Sequence, residues 1–120
     1  EERLRWEPVT HESPELLFER RWARTVMDQA CSRLKDEYAR AGRTNLFESL
    51  QSFLGEESGA GSYDRLAAEL GMKTGSVAVA VHRLRHRFGE LITAEIARTV
   101  SSAEEVEEER RHFQKIMALR

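Results

Sequence analysis

The sequence predicts an all-α fold: a small helical bundle that contains a helix-turn-helix, with long first and recognition helices and a C-terminal helix. Its composition, 40% hydrophobic and 33% charged over 120 residues, is typical of a soluble, charge-rich helical protein. Apolar residues recur at spacings of three and four along most of the chain, which places them on one side of successive helices. Two of these runs are separated by a short glycine-bounded break at residues 71–75, the pattern of a helix-turn-helix.

The first helix is predicted to begin at Ser13 and to end at Gly42. Serine is a favoured N-cap, Pro14 suits the first helical position, and Glu15 suits the positive end of the helix dipole. The apolar seam of this helix is rich in small residues and consists of Trp22, Ala23, Val26, Met27, Ala30, Leu34, Tyr38 and Ala41. The lone cysteine, Cys31, has no partner for an internal disulfide, and we expect it to be a core or boundary residue.

The residues before this helix, 1–12, are mixed and polar, with Trp6 and Pro8 as their main features. We expect them to form a linker that follows a further N-terminal domain. Residues 13–100 are then predicted to form the helix-turn-helix domain, and residues 101–120 a C-terminal helical extension.

The second helix is predicted to run from Leu46 to Leu54. Asn45 as its N-cap and Glu48 three residues later approximate a capping box. One face of this helix carries apolar side chains that we expect in the core: Leu46, Phe47, Leu50, Phe53 and Leu54. Residues 55–62 contain three glycines and no large apolar side chain, which predicts a flexible surface loop.

The helix-turn-helix motif is predicted over residues 63–88. Ser62 stands in the N-cap position of its first helix, whose apolar face consists of Leu66, Ala67 and Leu70. Gly71 suits the left-handed conformation that ends a helix, because a Cβ there costs roughly 1 kcal/mol. The second helix is predicted over about residues 76–99, with Gly89 as a weak point that costs up to ~1 kcal/mol relative to alanine. Its buried stripe consists of Val77, Val81, Leu84 and Phe88 and continues through Leu91 or Ile92, Ile96 and Val100.

A last helix is predicted to open at Ser102, which forms a capping box with Glu105. Its thin apolar face consists of Val106, Phe113, Ile116 and Met117. Five glutamates lie between residues 104 and 109, and we interpret them as the solvated start of this helix, where the dipole favours acidic side chains. As alternatives, this cluster would repel DNA or would fold over the basic helix when DNA is absent.

The charge of the chain is unevenly distributed around the motif. Four of the 19 basic residues and two histidines lie between Leu70 and Gly89, whereas none of the 21 acidic residues does. A basic helix on an otherwise acidic body indicates a polyanion as partner, and DNA is the polyanion that a helix-turn-helix favours. The alternative is a solvated helix that happens to be basic.

A family resemblance is carried by Gly71-Met72, Gly75-Ser76-Val77 and His82-Arg83-Leu84-Arg85, together with Tyr63, Leu66-Ala67 and Leu70-Gly71. These residues resemble the promoter-reading helix-turn-helix in the C-terminal domain of bacterial RNA polymerase sigma factors, and most of all the small extracytoplasmic-function group. The resemblance covers roughly residues 46–100. It implies a role in transcription initiation, with the RNA polymerase core as a partner and the upstream (−35) promoter element as the DNA that is read. It also implies a separate N-terminal domain that binds the core polymerase and melts the promoter.

Candidate DNA-binding residues lie opposite the buried stripe of the second motif helix. A major groove accepts one helix, whose exposed N-terminal side chains read base edges while basic residues hold phosphates. The outward positions at the helix start are Lys73, Thr74, Ser76, Ala78 and Val79, followed by His82, and the resemblance implies that these six face the promoter element. Arg83, Arg85 and Arg87 radiate around the helix, and we expect at least two of them to reach backbone phosphates. Arg65 on the preceding helix is a candidate for another phosphate.

The sequence departs from the family at two of these positions. Ala78 stands where the family often has a basic or polar residue, and Lys73 stands where it usually has a serine or threonine cap. The stretch 77–81 offers no hydrogen-bond donor to a base, so direct readout would depend on Lys73, Thr74, Ser76 and His82 and on contact with thymine methyl groups. A weak or shape-dependent sequence preference is the alternative.

The sequence predicts no enzyme, no cofactor and no metal site. It contains no Gly-rich phosphate loop with the required lysine, no activated nucleophile and no paired carboxylates walled by apolar residues. His82 and His86 are four residues apart on one face, but no third ligand lies nearby and the neighbouring arginines disfavour a cation. No apolar run approaches the ~20 residues that span a bilayer, and no signal-peptide pattern is present, so we expect a cytoplasmic protein without a membrane partner.

Two other functions stay open at this point. A dimeric helix-turn-helix transcription regulator would use the small-residue seam of the first helix, or the last helix, as its interface. A protein-interaction module would instead use the basic helix to bind an acidic partner such as an anti-sigma factor. The salt dependence of duplex binding separates this last function from the others, because phosphate contacts make affinity fall steeply with salt.

Overall fold

The computed structural model describes residues 13–54 and 60–118, which form five α-helices and no strand. In chain order the elements are α1 (Pro14–Arg40), α2 (Thr44–Leu50), a 3-10 turn (Gln51–Phe53), α3 (Ala60–Leu70), α4 (Thr74–Ala97) and α5 (Ala103–Ala118). The predicted all-α fold is confirmed. The predicted linker at 1–12 and most of the predicted loop, 55–59, lie outside the described residues.

Left-handed glycines end α1 and α3. The φ angle is +74° at Gly42 and +68° at Gly71. The residue after each glycine donates its backbone N–H to a carbonyl five residues back; the two bonds are Arg43 N to Tyr38 O, 2.7 Å, and Met72 N to Ala67 O, 2.9 Å. These bonds satisfy carbonyl groups that the end of a helix leaves unpaired. The predicted roles of both glycines are confirmed.

The N-caps of α1 and α5 form as predicted. Ser13 Oγ accepts a hydrogen bond from the Leu16 N–H at 3.1 Å. At α5, Ser102 Oγ accepts from the Glu105 N–H at 3.1 Å, and the Glu105 carboxylate accepts from the Ser101 N–H at 2.7 Å. These side chains satisfy backbone donors that have no partner inside the helix, and so they fix where each helix begins.

Two other predicted N-caps are wrong. α2 begins at Thr44, so Asn45 lies inside the helix, and the N-cap position falls on Arg43 without a side-chain capping bond. α3 begins at Ala60, so Ser62 also lies inside its helix. Asparagine and serine are tolerated in the first turn as well as at the cap, so their presence alone does not fix the start of a helix.

The main core forms where α2, α3 and most of α4 pack against the second half of α1. Its buried side chains are Ala30, Leu34, Phe47, Leu50, Phe53, Leu66, Ala67, Val77, Val81, Leu84, Phe88 and Leu91. The predicted apolar faces of these helices therefore point inward. The exceptions are Ala41, which is exposed beyond the end of α1, and Val100, which lies beyond the end of α4 and is part of neither core.

A second core joins α5 to the first half of α1 and to the end of α4. Its buried side chains are Ala23, Val26, Ile96, Phe113 and Ile116. Met27 and Ile92 pack against both cores, so α1 and α4 form the common wall of the bundle. In this wall the buried carboxylate of Glu95 pairs with Arg33 on α1 at 3.2 Å and with Arg98 at 3.3 Å. Such pairing is needed because an unpaired buried charge is strongly destabilising.

Candidate nucleic-acid interface

The turn before α4 fixes how this helix is presented. The side chain of Met72 packs, half-buried, against the main core. The Thr74 hydroxyl donates a hydrogen bond to the Asp64 carboxylate of α3 at 2.8 Å, which ties the first turn of α4 to α3. α4 begins at Thr74 rather than near residue 76, so the connection is only three residues long. The short connection and the Thr74 bond together limit how far α4 can move relative to α3.

The side of α4 that faces away from the bundle is exposed over its first three turns. We call this surface the outer face and define it by its exposed residues: Lys73, Thr74, Ser76, Val79, His82 and Arg83. Val79 is apolar and yet 50% exposed, so it offers methyl groups to a partner. Ala78, also predicted to face outward, is half-buried. The buried stripe thus holds α4 against the bundle while its polar side stays open, as the sequence predicts.

The N-terminal end of α4 carries positive charge without a side-chain cap. Lys73 is the N-cap, with an extended backbone (φ −78°, ψ 150°), and its side chain has no acceptor to offer the first turn. The positive end of the helix dipole therefore lies at the edge of the outer face. The first acidic residue in the sequence of α4 is Glu90, beyond this surface. An uncapped, cationic helix start of this kind attracts anions.

Arg85 is directed toward the bundle. Its Nε donates a hydrogen bond to the Phe53 backbone carbonyl at 2.8 Å, in a partly buried position. Phe53 ends the 3-10 turn after α2, where carbonyl groups lack helical partners. Arg85 therefore links α4 to the end of this turn. The sequence does not indicate this role, because Arg85 lies off the buried stripe. Its assignment as a phosphate ligand stays a prediction.

Arg87 is held by two carboxylates of the protein. Its guanidinium donates two hydrogen bonds to Glu37 on α1, at 2.9 and 2.7 Å, and one to Glu90 at 2.9 Å. The hydrogen bond from Arg87 lowers the pKa of the Glu37 carboxyl, and the same contacts raise the pKa of Arg87. The positive charge of Arg87, which the sequence predicts to contact DNA, is therefore largely neutralised by carboxylates of the protein itself.

A groove opens beside the outer face, between α4, the start of α2 and the turn before α4. We call it the cationic groove; its volume is about 750 Å³, and its lining residues are Arg43, Leu46, Met72, Lys73, Gly75, Ser76, Val79, Ala80 and Arg83. Three of these residues are cationic and none is acidic. Arg43 is not among the residues predicted from sequence, because only the turn at Gly42 brings it next to α4. Arg83, which lines the same groove, lies 40 positions further along the chain. No local sequence signal marks it.

The acidic helix α5 does not cover the outer face. Its side chains Phe113, Ile116 and Met117 pack in the second core, and Glu104, Glu105, Glu107 and Glu108 are exposed. The interpretation of this cluster as a solvated helix start agrees with that exposure. Arg65, the candidate on α3, is exposed as well.

Metal and thiol chemistry find little support in residues 13–54 and 60–118. Within these ranges no three His, Cys, Asp or Glu side chains are grouped closely enough to hold a metal ion. The rings of His82 and His86 lie 6.4 Å apart, and His86 Nδ1 lies 3.7 Å from the Glu90 carboxylate. Burial raises the pKa of the Cys31 thiol, which disfavours the reactive thiolate. None of the helices in the same ranges is long and apolar enough to cross a membrane.

Comparisons with known proteins do not identify a family. No family model, no curated protein and no solved structure matches the chain significantly. The resemblance to sigma factors therefore depends on the motif residues alone.

Proposed function

We propose that this chain binds double-stranded DNA through the outer face of α4, as the promoter-recognition domain of an RNA polymerase sigma factor. α4 enters the major groove of the upstream (−35) promoter element, and the rest of the bundle holds it in place. The RNA polymerase core is the protein partner, and the protein acts in the cytoplasm. The residues that resemble the family lie on α3, α4 and the turn between them, which is the part of the molecule that this role requires.

The proposal is carried by one observation, the exposure of a surface at the start of α4 that contains Lys73 and Arg83 and no acidic residue of its own, although the Asp64 carboxylate of α3 adjoins it at Thr74. Lys73 and Arg83 supply charges for phosphates, and the side chains of Ser76 and His82 supply hydrogen-bonding groups for base edges. The exposed methyl groups of Val79 suit a thymine methyl. The surface therefore combines groups that hold the backbone with groups that discriminate bases.

The arginines of α4 divide into two groups in this proposal. Arg83 and Lys73 contact DNA, whereas Arg85 and Arg87 position α4 through Phe53 and Glu37 (Arg85 and Arg87 as phosphate ligands remain the alternative). Fewer phosphate contacts follow than four basic residues imply, so the salt dependence of binding should be moderate. Each contact contributes about 0.9 to the slope of log affinity against log salt.

Titration of a labelled duplex with the whole chain at several salt concentrations tests the proposal. Selection from randomised duplexes supplies the preferred sequence, and a scrambled duplex of equal length is the control. We expect a log–log slope of about −2 to −3 for two or three phosphate contacts, and tighter binding to the selected duplex. A slope near zero, or equal affinity for both duplexes, would contradict sequence-directed DNA binding.

Protein binding is a second candidate function, and the apolar floor of the cationic groove favours it. Leu46, Met72 and Ala80 would accept the apolar side of a helix from an acidic partner such as an anti-sigma factor. This function predicts little duplex binding and a shallow salt dependence.

A dimeric regulator is less consistent with the fold. The small residues of α1, Ala23 and Ala30, are buried inside the chain, and so are Phe113 and Ile116 of α5. The two apolar surfaces that the sequence offers for a dimer are therefore packed within the bundle itself. Solution mass measured over a range of concentrations checks this directly.

A further inference from the structure

We infer that the cationic groove binds the sugar–phosphate backbone of one DNA strand, with Arg43 as a phosphate ligand. This inference rests on the proposed function and extends the DNA contact beyond α4. It assigns a binding role to the turn between α1 and α2, which lies outside the helix-turn-helix motif.

The groove gathers three cations from three separate parts of the chain. Arg43 comes from the turn before α2, Lys73 from the turn before α4, and Arg83 from the third turn of α4. Among the salt bridges of the described residues, none involves any of the three. Arg87, by contrast, lies on the same helix as Arg83 and is paired twice. The groove therefore gathers three cations, none of which forms a salt bridge with a carboxylate of the described residues.

Arg43 is held in position by the backbone around it. Gly42 adopts its left-handed conformation directly before Arg43, and the Arg43 N–H donates to the Tyr38 carbonyl at 2.7 Å. Burial raises the pKa of the Tyr38 hydroxyl, and the charges of Arg43 and Arg83 both oppose this rise. Tyr38 is half-buried, and the two arginines whose charges oppose the rise in its pKa also line the same groove.

Continuity with the outer face favours DNA as the occupant of the groove. Lys73, Val79 and Arg83 belong to both surfaces. A helix in a major groove has a phosphate backbone on either side of it, and a strand that passes beside α4 on this side would follow the groove. Phosphates would meet the cations, while the apolar carbons of deoxyribose would lie on Leu46 and Met72. An acidic protein helix would use the same chemistry, and the test includes it as an outcome.

The test compares two charge-neutralising variants of the whole chain, Arg43→Gln and Arg40→Gln. Arg40 is exposed in the last turn of α1 and does not line the groove, so it controls for the general loss of one positive charge. In salt titrations on the selected duplex, the slope of log affinity against log salt should be shallower than that of the wild type by about 0.9 for Arg43→Gln. For Arg40→Gln it should equal that of the wild type. The ratio of affinities for selected and scrambled duplex should stay the same, because a phosphate contact carries no base preference.

Phosphate replacement then locates the contact. Single neutral methylphosphonates are placed along each strand beside the selected element. One of them should weaken duplex binding by the wild-type protein and leave duplex binding by Arg43→Gln unaffected. Wild-type protein that fails to bind duplex DNA would overturn the proposed function and this inference together. Normal wild-type binding with equal slopes for the two variants would overturn the inference alone. The inference alone would also be overturned if Arg43→Gln weakened binding to the RNA polymerase core and left duplex binding unchanged, because the groove would then bind a protein partner.

Discussion

Arg83 and Arg87 lie four residues apart on α4, and replacing each by glutamine should change a different property: duplex binding for Arg83 and stability for Arg87. Arg87 donates a fork of two hydrogen bonds to Glu37, but the two side chains are 44% and 32% exposed. Exposed ion pairs contribute about 0.2–1 kcal/mol, and the fork geometry places this one near the upper end of that range, at about 1 kcal/mol. For a domain of this size, that loss lowers the melting temperature by about 4 °C. Arg83 forms no salt bridge in the described residues, so Arg83→Gln should leave stability unchanged.

Two measurements on the same pair of variants complete this prediction. Thermal unfolding followed by far-ultraviolet circular dichroism reports stability, and salt titration of duplex binding reports phosphate contacts. We expect Arg87→Gln to lower stability with the salt slope unchanged, and Arg83→Gln to make the slope shallower by about 0.9 at unchanged stability. If Arg87→Gln reduced the slope and left stability intact, the division of the arginines into positioning and DNA-contacting groups would be wrong.

Three further predictions follow from the contacts and glycines described above. The hydrogen bond from Arg87 is the main cause of the lowered pKa of Glu37, so this pair stabilises the fold above the ordinary carboxyl pKa of 4.5. That stabilisation is lost as the pH falls through the lowered pKa of the folded state. The difference in unfolding free energy between wild type and Arg87→Gln should therefore vanish in that acid range. In urea titrations, Gly71→Ala should lower the free energy of unfolding by about 1 kcal/mol, because Gly71 is left-handed, whereas Gly89→Ala should raise it by up to ~1 kcal/mol, because Gly89 is not. An added Cβ meets no atom within 4 Å at either of these two sites. Val81→Asp should abolish cooperative unfolding, since burying an unpaired carboxylate costs several kcal/mol, and retention of a sharp thermal transition would contradict the buried stripe.

Local sequence signals were sufficient for the framework of the bundle. The 3–4 spacing identifies the buried sides of α1 and α4 because these helices are long, so that an apolar side repeats several times. The glycines after α1 and α3 are equally visible, since few other residues accept a positive φ without strain. Caps are less predictable: serine capped α1 at Ser13, yet the same residue type at Ser62 lies within α3.

Long-range contacts explain what the sequence could not reveal about the candidate site. Arg85 and Arg87 find partners 32 and 50 residues earlier in the chain, and Arg33 finds Glu95 62 residues later. Such pairs depend on how helices are stacked, and residue spacing within one helix carries no information about them. Arg43 reaches α4 for the same reason. Under the proposed function, charge counting along α4 therefore includes Arg85 and Arg87, which are bonded to the bundle, and omits Arg43.

The most direct measurement of the central claim is a map of amide chemical-shift changes when the isotope-labelled chain is titrated with the selected duplex. We expect the largest changes from Lys73 to Arg83 and at Arg43, with small changes in α5, whose apolar side is packed in the second core. Changes concentrated in α5, or an unperturbed start of α4 at saturating duplex, would contradict DNA binding through the outer face.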